Sequence, residues 1–311
     1  MPFGCQLGVN RLHRHHTEQP LNPEITFALV GLAVLLALLG WPWWARRQRQ
    51  RMGQHPFPTA WRKLLQRRFP LYNHLPPPLQ RRLQALVQVF VAEKPLIGCQ
   101  GLTVTDDMRV LVAAQACLPV LALHGEDDHP HPYPELRQVL LYPSSFVVDA
   151  KHHQPGGVVS EGREERLGES WQEGIVVLSW PDAQAGARSG QWGRTDAATA
   201  PDAAPGHNVV MHEFAHQLDQ ATGPANGAPA LRPGQSADTW AQVFKRAYED
   251  LRWLVDAGEP TLIDPYGASA PEEFFAVATE TFFMQPSAMA RQHAALYAQL
   301  QQYFRLDPQA W

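Results

Sequence analysis

Apolar side chains recur along much of the chain at the spacing that helices require. Over residues 79–91 they fall three and four positions apart, which is typical of an amphipathic helix packed against a core. The same spacing predicts helices over 237–255, 272–284 and 289–304. Residues 108–123 are too apolar for a surface helix, so we expect a buried helix there.

Three segments have the composition of strands instead. Residues 139–149, 158–159 and 175–180 are rich in β-branched and aromatic side chains and are bounded by Gly or Pro. Residues 182–204 are rich in Ala, Gly, Ser and Asp and predict a surface loop. Together these patterns predict an α+β fold that is mostly helical with a small mixed sheet.

One apolar run carries no charge over its whole length. Residues 25–44 match the roughly 20 residues that a helix needs to cross the hydrocarbon core of a bilayer. Trp41, Trp43 and Trp44 lie where interfacial aromatics are expected, and the basic run at 46–51 follows directly. We therefore predict a single-pass transmembrane helix in the cytoplasmic (inner) membrane, with the C-terminal body in the cytoplasm. A cleaved signal peptide is the alternative, but no small-x-small cleavage site follows the run.

The flanks of this segment complete the predicted domain organisation. Residues 1–24 are expected to be a flexible tail, as termini usually are unless they are tied down. Residues 45–63 combine basic side chains with Pro56 and Pro58, which indicates a linker. A folded domain is predicted over 64–308.

Charge is distributed unevenly along the chain. The first 70 residues carry ten Lys and Arg but only two Asp and Glu, whereas the other 241 residues carry 16 basic and 28 acidic side chains. An acidic body is a poor non-specific nucleic-acid binder, because neutralising phosphates needs a basic face. Nucleic acid is therefore not an expected partner.

Composition excludes two further classes. A hydrophobic content of 45% is too high for a disordered or fibrous chain. The three cysteines, Cys5, Cys99 and Cys117, are odd in number and widely spaced, so they predict neither a disulfide framework nor a cysteine-based zinc site. A reducing compartment fits this pattern best.

The segment over residues 209–218 carries a pattern that points to chemistry. On a helix, His212 and His216 project from one face four residues apart, so both imidazoles can bind one zinc ion. Glu213 follows the first histidine and can take a proton from a water in the open coordination position. The flanking positions are uncharged and mostly apolar, as a buried active-site helix requires. The alternative is a buried helix whose histidines are only hydrogen-bonded.

A catalytic zinc usually takes three protein ligands, and the third has to come from another element. No histidine follows His216 until His293, so a carboxylate on a downstream helix is expected. Glu272, Glu273 and Glu280 all lie in the stretch PEEFFAVATETFF. Glu273 and Glu280 are seven residues apart and share nearly one helix face, so periodicity does not choose between them.

Several separated motifs, in the same order, resemble those of a known family. These are HEFAHQLD at 212–219, IDPYGASAPEEFFAVATETFF at 263–283, LLYPSSFVVD at 140–149 and GESWQEGIVVLSW at 168–180. The chain is similar over 64–308 to the Mlc titration factor A family of zinc peptidases (peptidase family M90), a gluzincin-type group. The resemblance implies a zincin-like metallopeptidase domain with aminopeptidase activity. It also implies a possible protein partner, because the best-studied member of the family binds a glucose-responsive transcriptional repressor.

The resemblance also assigns roles to individual residues. It makes His212 and His216 ligands of one catalytic zinc ion, and Glu213 the general base. The family's downstream glutamate falls on Glu273, which becomes the third ligand. The family's tyrosine falls on Tyr266, whose phenol can donate a hydrogen bond to the oxyanion of the tetrahedral intermediate.

Two more carboxylates are candidates for outer partners of the ligating histidines. Ligating histidines usually donate their second ring N–H to a carboxylate or carbonyl. Glu280 and Asp219 both have suitable spacing, but either can equally be a surface or capping charge. Related gluzincins often place an acidic residue four positions after the ligand glutamate, whereas this chain has Val277 there.

These observations predict a membrane-anchored, cytoplasm-facing zinc peptidase that hydrolyses peptide bonds by general-base attack of a zinc-bound water. Its expected substrate is a peptide or protein, and aminopeptidase-like cleavage is expected. Residues 175–180 have two interpretations: a sheet edge beside the zinc, where a substrate can add as a strand, or a plain core strand. The alternative is a regulatory binding protein that captures a partner such as a transcriptional repressor and has only incidental peptidase activity.

Overall fold

A computed structural model describes residues 23–123, 132–144, 146–154, 158–166, 168–171, 174–192 and 206–311. Residues 1–22 of the predicted tail over 1–24 lie outside the described residues. Its last two residues, Pro23 and Glu24, belong to the first helix. The described chain divides into a first unit that ends at Arg47 and a second unit from Gln48 to Trp311.

Helices account for most of the described residues, as predicted. They are α1 (Pro23–Gln54), α2 (Thr59–Arg68), α3 (Leu71–His74), α4 (Pro77–Glu93), α5 (Asp106–Cys117), α6 (Trp180–Gly186), α7 (Val209–Asp219), α8 (Ala237–Asp256), α9 (Pro271–Met284), α10 (Pro286–Gln292) and α11 (Ala294–Phe304). The single helix predicted over 289–304 is two helices, because the backbone leaves the helical region at His293. The predicted loop over 182–204 begins inside α6, and its residues 193–204 lie outside the described chain.

The strands form a small mixed sheet and a separate hairpin-like pair. They are β1 (Leu96–Gly98), β2 (Gln138–Tyr142), β3 (Phe146–Gln154), β4 (Val158–Arg166), β5 (Gly168–Trp171) and β6 (Ile175–Ser179). The sheet has the order β1-β2-β6-β5, with β1, β2 and β6 parallel and β5 antiparallel to β6. Within the described residues, strands β3 and β4 form a separate two-stranded sheet.

This topology corrects two expectations about strands. The strand predicted over 139–149 is interrupted, since β2 ends just before Pro143 and β3 begins at Phe146. The strand predicted over 175–180 is not an edge, because β6 has β2 on one side and β5 on the other. Trp180 already belongs to α6, whose next residue is Pro181 at the start of the helix.

A buried core lies beneath α7. Helix α5 is capped by the Thr105 hydroxyl, which accepts a hydrogen bond from the Met108 N–H. Its last eight residues are all buried, as predicted, but the helix ends at Cys117 and not at residue 123. Phe214 of α7 packs against Phe90 at 5.7 Å and against Tyr133 at 4.7 Å between ring centroids. Aromatic packing of Phe214 against Phe90 and Tyr133 therefore stabilises the position of α7, the helix that carries the HExxH motif.

Helix α1 contains the apolar run and extends beyond it. Among the described residues it is the one helix long and apolar enough to cross a membrane, over Leu29–Gln54, and none of its apolar stretch is buried. The predicted linker over 45–63 is helical as far as Gln54 and again from Thr59. Helix α1 thus includes the predicted span over 25–44 and also the basic residues at 46–51 that follow it.

Candidate metal centre

Local sequence fixes where α7 begins. The Asn208 side-chain oxygen accepts a hydrogen bond from the Met211 N–H at 3.0 Å, which is the usual cap of a helix start. Its amide nitrogen donates to the Gly186 carbonyl at 3.0 Å and so ties this start to α6. His212 and His216 follow one turn apart, and both are buried.

Helix α9 brings the carboxylates to α7. The first residue of α9 is Pro271. Proline is favourable there because the N–H that it lacks would make no hydrogen bond within the helix. Glu272 and Glu273 lie in the first turn, and every residue from Phe274 to Met284 is buried. Because α9 packs along α7, Glu273 and Glu280 both reach the histidine helix.

The structure brings His212, His216 and Glu273 into one cluster. The distance from His212 Nε2 to Glu273 Oε2 is 3.0 Å, and that from His216 Nε2 to the same oxygen is 3.4 Å. The two Nε2 atoms are 3.3 Å apart. One ligand atom from each residue therefore lies within 4.8 Å of the others, and this group can hold a metal ion.

The chemistry of the donors fits such an ion. Two imidazole nitrogens and one carboxylate oxygen are ligands that zinc accepts at catalytic sites, where a fourth position stays open. The cluster is largely shielded from water, since His212 and His216 are buried and Glu273 is partly buried. A cation at the cluster would compensate the carboxylate charge that burial disfavours.

Glu280 contacts the other ring nitrogen of His212 from the one that Glu273 contacts. Its Oε1 lies 2.8 Å from His212 Nδ1, on the opposite side of the ring from Glu273. Its Oε2 lies 3.2 Å from His207 Nδ1 and accepts a hydrogen bond from the Asn208 N–H. Glu280 is thus placed to orient the His212 ring, as outer partners of ligating histidines do. The sequence reasoning did not single out His207, and its position just before the capping Asn208 was the available signal.

The electrostatics of the cluster favour ionised carboxylates. Burial raises the pKa of Glu280, but hydrogen bonds to His207 and His212 outweigh it and hold the pKa at about 2. Burial also raises the pKa of Glu273, and hydrogen bonds to His212 and His216 lower it well below its ordinary value. For His212, burial lowers the pKa, while both carboxylates raise it well above the ordinary value. The site therefore keeps two anionic side chains around one imidazole.

Asp219 is the last residue of α7 and is not a member of the metal group. Its Oδ2 accepts hydrogen bonds from the N–H groups of Asn226 at 2.8 Å and Gly227 at 2.7 Å. Gly227 has a φ of +77°, and a Cβ there would lie 2.4 Å from the Pro271 carbonyl oxygen. The loop held by Asp219 thus contacts the first residue of α9, so Asp219 connects the end of α7 to the start of the helix that carries Glu273.

Tyr266 lies on the exposed side of the cluster. It belongs to the 3₁₀ turn Pro265–Ala268, which is capped by an Asp264 carboxylate oxygen that accepts from the Tyr266 N–H at 2.9 Å. Its ring centroid is 6.0 Å from that of His212, and the residue is 51% exposed. Glu213, by contrast, is only 5% exposed.

A helix that carries HExxH and packs against a second helix that supplies a glutamate is an arrangement typical of metallopeptidases. The chain belongs to the glucose-regulated metallo-peptidase M90 family, whose sequence profile matches residues 42–305. The resemblance noted from the motifs is thereby confirmed.

Individual relatives match most of the chain. An uncharacterized protein of Synechocystis sp. is 36% identical over 92% of this chain and 98% of its own length. A Klebsiella pneumoniae protein named Mlc titration factor A is 35% identical over 86% of this chain and 92% of its own length. A Serratia proteamaculans protein of the same name is 30% identical over 88% and 95%, respectively.

Proposed function

We propose that the protein is a zinc peptidase of the zincin-like type, in which His212, His216 and Glu273 hold the ion. The observation that carries the proposal is the convergence of these three side chains from two helices, with Glu213 next to the first histidine. A zinc ion held there would supply Lewis-acid polarisation of a substrate carbonyl and would acidify a water molecule.

Glu213 is the proposed general base. It lies on the same buried helix as the two histidines and next to His212. Its carboxylate takes a proton from the attacking water and then delivers it to the leaving amine. Exclusion of bulk water from its surroundings strengthens the effect of this charge on the reaction.

Tyr266 is the proposed oxyanion partner, and Tyr266→Phe tests it. Removing an oxyanion donor costs roughly 10²–10³-fold in kcat, so we expect a loss of that order with KM and metal content little changed. Steady-state kinetics together with metal analysis measure both. Tyr248→Phe is the matched control, because the Tyr248 hydroxyl donates to the Ala268 carbonyl at 3.3 Å in the same turn. Equal losses in the two variants would show that the turn, and not the Tyr266 phenol, matters.

We also propose that α1 anchors the protein in the inner membrane. Its large apolar side chains, among them Phe27, Leu38 and Leu39, are exposed, which is costly in water and favourable in lipid. Since 92% of the chain matches the Synechocystis relative, only about 25 residues fall outside that match, so most of the apolar run belongs to the shared part. The basic run at 46–51 supports a cytoplasmic body through the positive-inside rule.

A second candidate function is regulatory binding of a protein partner. The observation that favours it is the name Mlc titration factor A, which several relatives share. In that case the metal centre would stabilise a fold that captures a repressor, and hydrolysis would be secondary. The group of three candidate ligands found among the described residues favours the peptidase, because a purely structural zinc site is normally closed by four protein ligands.

Hydrolysis by the full-length protein in detergent tests the proposal. We expect cleavage of short peptides with a free N-terminal amine, slower cleavage of the same peptides after N-acetylation, and loss of both with a chelator. Restoration by zinc completes the expected result, and mass spectrometry of the products measures it. Hydrolysis that persists after complete metal removal, or its absence in zinc-loaded protein across a broad peptide library, would contradict the peptidase assignment.

A further inference from the structure

Positive charge is concentrated in one stretch that the metal centre does not use. Between Glu24 and Glu93 the chain contains ten basic side chains and no acidic side chain. The basic residues are Arg46, Arg47, Arg49, Arg51, Arg62, Lys63, Arg67, Arg68, Arg81 and Arg82. Residues 93–311 contain 14 basic and 28 acidic side chains, so the two parts of the chain carry opposite charge.

Helix α2 presents three of these cations on one face. Leu64 and Leu65 are buried and fix the side of the helix that packs on the core. Arg62, Lys63 and Arg67 are exposed on the side of the helix opposite the two buried leucines. Lys63 and Arg67 are four positions apart and are neighbours on that surface, and Arg62 lies beside them. Arg67 Nε donates to the Lys63 backbone carbonyl at 3.2 Å, which leaves its charge uncompensated. Within the described part of the chain, none of the three pairs with a carboxylate.

The end of α1 belongs to the second unit and contacts α4 there. Arg49 Nε lies 2.6 Å from Glu93 Oε1, and Gln88 Nε2 donates to the His55 carbonyl at 3.0 Å. Both contacts hold the last turns of α1 against α4, and α2 begins only five residues after Gln54. At 1.5 Å per residue, the ten residues from Trp44 to Gln54 form about 15 Å of helix, so only a short stretch of chain separates the proposed span from α2.

We propose that the cationic face of α2, formed by Arg62, Lys63 and Arg67, rests on anionic phospholipid headgroups beside the span. The proposal rests on the membrane anchoring proposed above. Basic clusters that directly follow a transmembrane helix on the cytoplasmic side are attracted to anionic lipids, and the attraction decays within a Debye length of about 8–10 Å. The acidic remainder of the body is repelled by the same surface. Charge therefore selects one orientation of the body against the bilayer.

A lipid surface fits these observations better than a nucleic acid does. The short connection to the span brings the α2 face to a bilayer without any further binding step, whereas a polyanion in solution would also meet the acidic excess of residues 93–311. Three cations on one helix face also suit a flat array of headgroups, because such an array demands no particular register.

Hydrogen exchange of full-length protein in lipid nanodiscs tests this proposal. One set of discs contains phosphatidylcholine alone, and the other contains about a third phosphatidylglycerol. We expect the α2 backbone to exchange about fivefold more slowly in the anionic discs, the change that roughly one cation near an anionic surface produces. The difference should vanish in about 1 M salt, where the Debye length is about 3 Å.

A matched pair of triple variants identifies the face. Arg62→Gln, Lys63→Gln and Arg67→Gln together should abolish the lipid dependence. Lys245→Gln, Arg246→Gln and Arg252→Gln remove the same charge from exposed positions on α8 and should preserve it. Circular dichroism confirms that both triple variants are folded.

Each result decides between the proposals. Equal exchange of α2 in both kinds of disc, from protein that stays in the discs, overturns the lipid contact and leaves the anchor intact. Protein that is not retained by phosphatidylcholine discs overturns the anchor. If that protein still binds anionic discs through Arg62, Lys63 and Arg67, the proposed lipid contact is supported without the membrane anchor. Protection of α2 by duplex DNA but not by anionic discs overturns the lipid contact in favour of a nucleic acid.

Discussion

Glu213→Gln is expected to abolish peptide hydrolysis while leaving the bound metal in place. The amide has nearly the shape of the carboxylate but cannot accept a proton, and general acid-base catalysis contributes roughly 10²–10⁴-fold to such reactions. We therefore expect kcat to fall by on the order of 10³-fold. Because Glu213 is not a member of the His212, His216 and Glu273 group, the zinc content should stay the same. Single-turnover kinetics and metal analysis on the same preparation measure both quantities.

The matched control is Glu272→Gln. It removes a carboxylate from the neighbouring helix at a position outside the metal group. Turnover should stay close to that of the unmodified protein. An active Glu213→Gln protein would contradict the proposed mechanism, and a Glu213→Gln protein that loses zinc would show that Glu213 supports the centre in another way.

Glu273→Ala is expected to empty the metal centre. Its Oε2 lies 3.0 Å from His212 Nε2 and 3.4 Å from His216 Nε2, so its loss leaves two imidazoles as the remaining donors. Losing an outer partner of a ligand typically weakens metal affinity by roughly 10–100-fold, and loss of a direct ligand should cost more than that. Competition with a chromophoric zinc chelator measures the dissociation constant, and hydrolysis should fall in parallel at limiting zinc.

Two companion variants make this result specific. Glu272→Ala should retain zinc, since its carboxylate lies outside the cluster. Glu280→Gln changes only the carboxylate beside His212 Nδ1 and should weaken binding by the intermediate, roughly 10–100-fold amount. If Glu280→Gln weakened zinc binding more than Glu273→Ala, the roles proposed for the two glutamates would have to be exchanged.

Local patterns were sufficient for much of the secondary structure. The helices over 79–91, 237–255 and 272–284 lie within α4, α8 and α9, because amphipathic spacing and terminal prolines act within a few residues. Breaks were harder to predict. The division at His293 interrupts a run whose apolar spacing continues through it, so periodicity alone gave no sign of the interruption.

The sequence by itself determined the chemistry that is available: the HExxH helix, the downstream glutamates, the apolar run before a basic flank, and the resemblance to a peptidase family. Spacing along one helix decides which side chains share a face, and this is a local property. It could not separate Glu273 from Glu280, since both lie on nearly the same face of α9.

The family resemblance pointed to Glu273, but only the tertiary structure decided where each of the two glutamates lies relative to the histidines. The way α9 packs along α7 sets Glu273 beside the Nε2 atoms of both histidines and Glu280 beside the Nδ1 atom of His212. Likewise, pairing with β2 and β5 made β6 an interior strand, and the Asn226–Gly227 contacts turned Asp219 into a link between α7 and α9. Each depends on contacts between residues far apart in the chain, which spacing within one element does not encode.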